Sequence, residues 1–124
     1  KSTIKSTRLM SVDDEIVKDF FYVDCNWLWS GSAEDTDEEP HTHDFDEVIG
    51  FFGSDPQNPR DLGGEVEFWL EDEKYILRKS CFIFAPRGLR HCPLRVIRVD
   101  RPIFFLAVSI TSKYVKENVI RASS

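Results

Sequence analysis

Histidine occurs three times in this chain, and all three positions fall into one two-part pattern. His41 and His43 open an HxHxxxE run that closes on Glu47, and His91 closes a PxGxxH run with Pro86 and Gly88. Three imidazoles and one carboxylate are what a protein needs to hold a divalent metal ion and leave a coordination position open. Yet His91 lies 44 positions beyond Glu47. Any fold of this chain must bring two distant segments to one point.

Strand geometry offers a way. Side chains alternate faces along a strand, so His41 and His43 share one face and Glu47 has their parity. His91 then has to arrive on another strand folded alongside. A small β-barrel does this readily, because opposing strands converge on one interior.

The rest of the sequence reads as such a barrel. Phe20 to Val23 and Trp27 to Trp29, within an extended stretch from Val17, are residue types that fit a pleated surface. Val48 to Phe52 forms a strand bounded by glycine. Glu65 to Leu70 alternates, with Val66, Phe68 and Leu70 on one face and Glu65, Glu67 and Trp69 on the other. Tyr75 to Leu77, Cys81 to Ala85, Leu94 to Val99 and Ile103 to Ile110 complete a series of short strands. Turn formers from Ser54 to Leu62 break the chain over a length typical of lids and specificity loops. A helical period is readable only over Ser112 to Ile120. This is an all-β plan, a sandwich or barrel. One domain spans 1–124: an N-terminal arm or edge strand over 1–16, a barrel over 17–110 and a C-terminal tail over 111–124.

Charge narrows the partners. The formal net charge is −6, and Lys113, Lys116 and Arg121 are scattered rather than clustered. Nucleic acid and anionic membranes are therefore not expected partners. No stretch is apolar enough to span a bilayer, and no signal-peptide pattern is visible. Three cysteines without CxxC spacing do not make a disulfide framework, so a cytoplasmic location is the default expectation. The chain opens on Lys1, which leaves room for a longer parent protein. The acidic run Glu34, Asp35, Asp37, Glu38 and Glu39 reads as a solvated connection rather than a second metal site.

The two histidine runs resemble the paired motifs of the cupin superfamily. His41-Thr42-His43-Asp44-Phe45-Asp46-Glu47 with Gly53 is similar to the first motif, and Pro86-Arg87-Gly88-Leu89-Arg90-His91 to the second. The resemblance implies a jelly-roll β-barrel whose metal ligands are His41, His43, Glu47 and His91. It implies pairing through outer strands as well, hence a homodimer. The sequence departs from the pattern at three places: Asp35 and Ser80 stand where glycines usually open the motifs. Arg95 stands where an asparagine often follows the last histidine.

Imidazole and carboxylate ligands suit Fe(II), Mn(II), Co(II), Ni(II) or Zn(II). No cysteine takes a ligand position, which argues against a structural zinc site; iron is favoured. Phe45, Ile49 and Phe51 continue the ligands' parity and should wall an apolar cavity. Arg95 shares the parity of His91 and has two readings. It is a clamp for a substrate anion beside the metal, or it pairs with a wall residue such as Glu65 or Glu67. Cys92 should point away from the metal, and Asp44 or Asp46 should accept a hydrogen bond from a ligand imidazole. Trp27 and Trp29 share one face of their strand, Tyr22 and Asn26 the other, and the tryptophans read as core.

These residues point to a metal-dependent enzyme acting on a small organic acid or oxygenated small molecule. Its chemistry is metal-centred, of dioxygenase, isomerase, lyase or decarboxylase type, since no further histidine is left for catalysis. Glu47 has a second role open to it, as a base. The alternative is a non-catalytic metal-binding or ligand-sensing module.

Overall fold

The structure is a computed structural model, and it describes residues 5–13, 15, 16, 21–30, 41, 42, 45–109, 117 and 118. Ten strands follow one another: β1 (Lys5–Val12), β2 (Tyr22–Ser30), β3 (His41–Thr42), β4 (Glu47–Phe52), β5 (Asp61–Leu70), β6 (Glu73–Lys79), β7 (Cys81–Ala85), β8 (His91–Val99), β9 (Ile103–Ser109) and β10 (Glu117–Asn118). They form two five-stranded sheets, ordered β1-β2-β9-β4-β7 and β10-β3-β8-β5-β6, in which every pairing is antiparallel. The chain crosses repeatedly between the sheets, and the architecture is a cupin-type jelly roll.

The expected strands are present, with the N-terminal arm as edge strand β1 and Cys81 to Ala85 as β7. One expectation is corrected. Glu117–Asn118, inside the span read as helical, is a strand paired with His41–Thr42. Ser112 to Ile120 carries Val115 and Ile120, which suit either period, and pairing with β3 decides the matter. The remainder of that span and the acidic run 34–39 lie outside the described residues. Among the described residues no helix is long and apolar enough to cross a membrane.

Alternation sorts side chains between the faces of each sheet. Leu28, Ile49, Phe51, Ile83 and Ile103 from one sheet meet Leu62, Val66, Phe68, Leu94 and Val96 from the other. Phe51 and Phe68, both fully buried, meet edge to face across the gap at 6.4 Å between ring centroids. Burying each such ring stabilises the fold by roughly 2–3 kcal/mol.

The outer faces differ in character. On the β5–β8 sheet they carry ion pairs, Arg78 with Glu65 at 3.0 Å and Arg98 with Glu65 at 3.6 Å. On the β2–β9–β4–β7 sheet they carry aromatic rings. Trp27 packs on Phe104, and Phe52 on both Phe104 and Phe82. Trp27 is thus partly buried on an outer face, and Trp29 is exposed with its indole N–H donated to Thr7. Neither tryptophan is core, because Asp24 and Leu28 take the inner parity of β2.

The Ser54–Leu62 loop is not placed as a lid. It joins the end of β4 to the start of β5, while Glu47 opens β4 about 17 Å away at 3.3–3.4 Å per residue. Ser80 ties the loop down: its hydroxyl accepts from Gly53 N–H and donates to the Pro59 carbonyl, each at 2.8 Å. The serine in place of a motif glycine therefore has a definite task.

Candidate metal centre

The polar groups collect at the end of the sandwich opposite that loop. Glu47 opens β4, and across the sheet its register partners are Ser109 and Ala85, with Tyr22 beyond Ser109. His91 opens β8 on the facing sheet, opposite Leu70 on β5 and His41 on β3. Glu47 and His91 meet between the sheets, only 4% and 2% exposed, with Glu47 Oε1 3.1 Å from His91 Nε2.

This contact has a specific electronic character. His91 Nδ1 lies 3.1 Å from the Leu89 carbonyl, which only accepts, so Nδ1 carries a hydrogen. Nε2 is then left facing a carboxylate oxygen, and either a proton or a cation has to lie between two such acceptors. Two ligands about 2.1 Å from one ion stand about 3.0 Å apart in an octahedral set and about 3.4 Å apart in a tetrahedral one. The observed separation fits that edge, and the imidazole donating its other N–H to a backbone carbonyl is the usual support of a ligand histidine.

Local chemistry places His91 firmly. Pro86 to Leu89 form a turn closed by Leu89 N–H to the Pro86 carbonyl at 3.0 Å, with Gly88 at φ +81° in its third position. A type II turn needs that left-handed residue, which is why the run reads PxG. Arg87 N–H donates to Asp46 at 2.8 Å and Arg90 N–H to Glu71 at 2.9 Å, so both flanks of the turn are held. Asp46 thus braces one motif against the other through the backbone of Arg87. Phe68 stacks on the ring of His91 with 20° between planes.

Of the four expected ligands, the structure brings Glu47 and His91 together and sets the backbone of His41 opposite His91. His43, the side chain of His41, and Asp44 lie outside what is described. Among the described residues no group of three or more ligating side chains forms.

Arg95 is corrected. Leu70 pairs with His91 and Phe68 with Leu94, so β8 spends three residues where β5 spends two. This bulge, at Cys92 with φ +71°, reverses parity beyond it. Leu94 and Val96 then point inward, and Arg95 joins Glu67 on the outer face, 41% exposed with its Nε 4.0 Å from the carboxylate. The wall-residue pairing stands and the inward clamp does not. For the same reason Cys92 is buried in the core rather than turned away. Phe45, Ile49 and Phe51 are buried as expected.

Three residues had not been singled out for the site. Asp24, on the inner face of β2 beside Tyr22, is buried and ion-paired to Arg8 at 2.9 Å. Tyr22 is pushed up to about 12, first by burial and then by the charge of Asp24, so its hydroxyl stays neutral at any working pH. Ser109, 1% exposed, is register partner to both Tyr22 and Glu47. The signal was there: Tyr22, Asp24 and Asn26 alternate through an aromatic run, and one serine interrupts the apolar run Ile103 to Ile110 with the parity of Phe105 and Ala107.

No protein-family model matches this sequence, and no curated protein does. Solved structures do resemble the fold. An oxalate oxidase in complex with the substrate analogue glycolate superposes with TM-score 0.57 at 14% identity, over 92% of this chain and 55% of its own. The polyketide cyclase RemF from Streptomyces resistomycificus gives 0.60 at 20% identity, over 96% and 75%. A cupin protein from Bacteroides fragilis gives 0.53 at 14% identity, over 98% and 88%. The chain spans little more than half the oxalate oxidase chain.

Proposed function

We propose that this chain, which has the cupin fold, holds one divalent metal ion through His41, His43, Glu47 and His91 and acts on a small organic acid or other oxygen-rich molecule. The observation that carries this reading is the buried Glu47–His91 contact, with its fixed tautomer and its ligand-like spacing. His41 in register with His91 supports it, and so does the survival of all four ligand types in the sequence. Iron is the favoured ion, with manganese, nickel, cobalt and zinc compatible with the same donors.

A bound divalent ion would supply the positive charge that polarises a substrate oxygen. The chain's own groups do the rest. Leu89 and the braced Pro86–Leu89 turn hold the His91 ring in orientation, and Phe68 limits its rotation. Phe45 and Ile49 keep the floor apolar, which strengthens every charge interaction above it. Glu47 holds the ion, or accepts a proton from substrate where it is not fully engaged.

Elemental analysis of protein purified without added metal should find close to one equivalent per chain. Incubation with oxalate and glycolate, with and without oxygen, then separates the outcomes. Oxygen uptake identifies an oxidase or dioxygenase, and turnover without oxygen an isomerase, lyase or decarboxylase. Saturable binding without turnover identifies a sensing module. A protein that takes up no divalent metal under any condition sinks the proposal.

We further propose that two copies pair through the aromatic outer face. Phe82 and Phe84 on edge strand β7 are 65% and 57% exposed beside partly buried Phe52 and Phe104. Phe82→Glu should convert a dimer to a monomer in sedimentation while the metal content stays the same. A wild-type monomer at high concentration would rule the pairing out.

A further inference from the structure

Within the proposed metal centre one polar atom has no task in the protein itself. The hydroxyl of Ser109 is fully buried, and among the described residues it has no hydrogen-bond partner. Serine hydroxyls in strands are easily satisfied by neighbouring carbonyls or by water, and a buried one left unmade is destabilising. It stands on the inner face, in register with Glu47 on one side and Tyr22 on the other, at the end of the sandwich where His91 opens β8. The Tyr22 hydroxyl is engaged with Asp24, and Glu47 is drawn toward His91. Ala85 in the same row, and Ala107 and Ile49 one row deeper, offer no polar atom, and Asp24 beside Ala107 is ion-paired to Arg8. A donor kept unpaired in such a place is what a site holds ready for an incoming acceptor.

We propose that Ser109 is a ligand-contacting residue of this site, donating its hydroxyl hydrogen to an oxygen of the small acid bound beside Glu47 and His91. This rests on the metal-centre reading. The substrate class follows from the chemistry: the donor is neutral, next to a carboxylate, so it donates to one oxygen of a bound anion without supplying the countercharge. The charge of the ligand must then be met by the cation and not by the wall. An anion clamp was one of the two roles open to Arg95, and the parity reversal in β8 places that residue on the outer face beside Glu67. Ser109 provides a contact from the opposite sheet.

The test compares wild type with Ser109→Ala and Ser109→Cys. Metal content is read by elemental analysis, glycolate and oxalate affinity by calorimetry on the protein with its resident metal, and unfolding temperature without ligand. Both variants should keep the metal and bind the two acids at least tenfold more weakly, since each lacks a strong hydroxyl donor. Ser109→Ala should also melt higher than wild type by roughly 3 °C or more, because it removes a buried, unmatched group. A structural role predicts the reverse, lower melting with unchanged affinity, and that result overturns the proposal. Saturable binding of neither acid by metal-loaded wild type overturns it too. Absence of metal from wild type counts against the centre itself and is read separately, while the melting comparison of Ser109→Ala still reports on the hydroxyl.

Discussion

On the proposed metal centre, replacing His91 by alanine will abolish divalent-metal uptake and lower the unfolding temperature by roughly 10 °C or more. Two losses combine. His91 is one of the two proposed ligands that meet in the buried contact, and with it goes the edge on which an ion would sit. Removing one partner of a buried ionic contact also leaves the other in low dielectric, which costs about 3–5 kcal/mol. Glu47 is 4% exposed, so water does not readily take the place of the ring. The stacking on Phe68 and the hydrogen bond to Leu89 are lost as well. Metal analysis and thermal melts of the purified variant check both halves. Wild-type metal content together with wild-type melting would show that this imidazole is neither ligand nor brace.

Gly53→Ala will be more damaging to the fold than any exposed substitution, though it lies at the far end from the metal centre. A Cβ at this position would fall 1.9 Å from the Asp61 carbonyl oxygen and 2.9 Å from its carbon. Backbone cannot rotate aside as a side chain can, so β4 or β5 must move by more than 1 Å. The expected loss is at or above the ~3 kcal/mol upper range for overpacking. It would be read as a shift of the urea midpoint with an unchanged slope. Gly88→Ala makes the contrast. Nothing lies within 4 Å of its Cβ, and only the positive φ is strained, for about 1–2 kcal/mol. Equal stabilities for the two variants would contradict this account.

The sequence carried most of this architecture because its signals were periodic. Val66, Phe68 and Leu70 alternate cleanly, and Cys81 to Ala85 is bounded by polar and proline breaks, so those strands were readable to within a few residues. Glu47 and His91 were readable because two spaced motifs specify them. What failed was parity carried across an irregularity. Counting in twos from His91 turns Arg95 inward, but the bulge at Cys92 inserts one residue and flips Leu94, Arg95 and Val96, which follow it. Pro93 was the available warning, since proline within a strand belongs at an edge or a bulge. Ser109 and Asp24 escaped notice for another reason. Their parity within apolar strands was the signal, but only the pairing of β2 and β4 with β9 shows that this parity faces inward.

The two ends of the sandwich are built from different materials, and this separates what keeps the molecule folded from what it handles. Phe51, Leu62, Val66 and Ile103 form an apolar core beyond the polar mouth. On the proposed function, substitution at Ser109 would redirect the choice of ligand while the scaffold persists, so chains of one shape can diverge in chemistry.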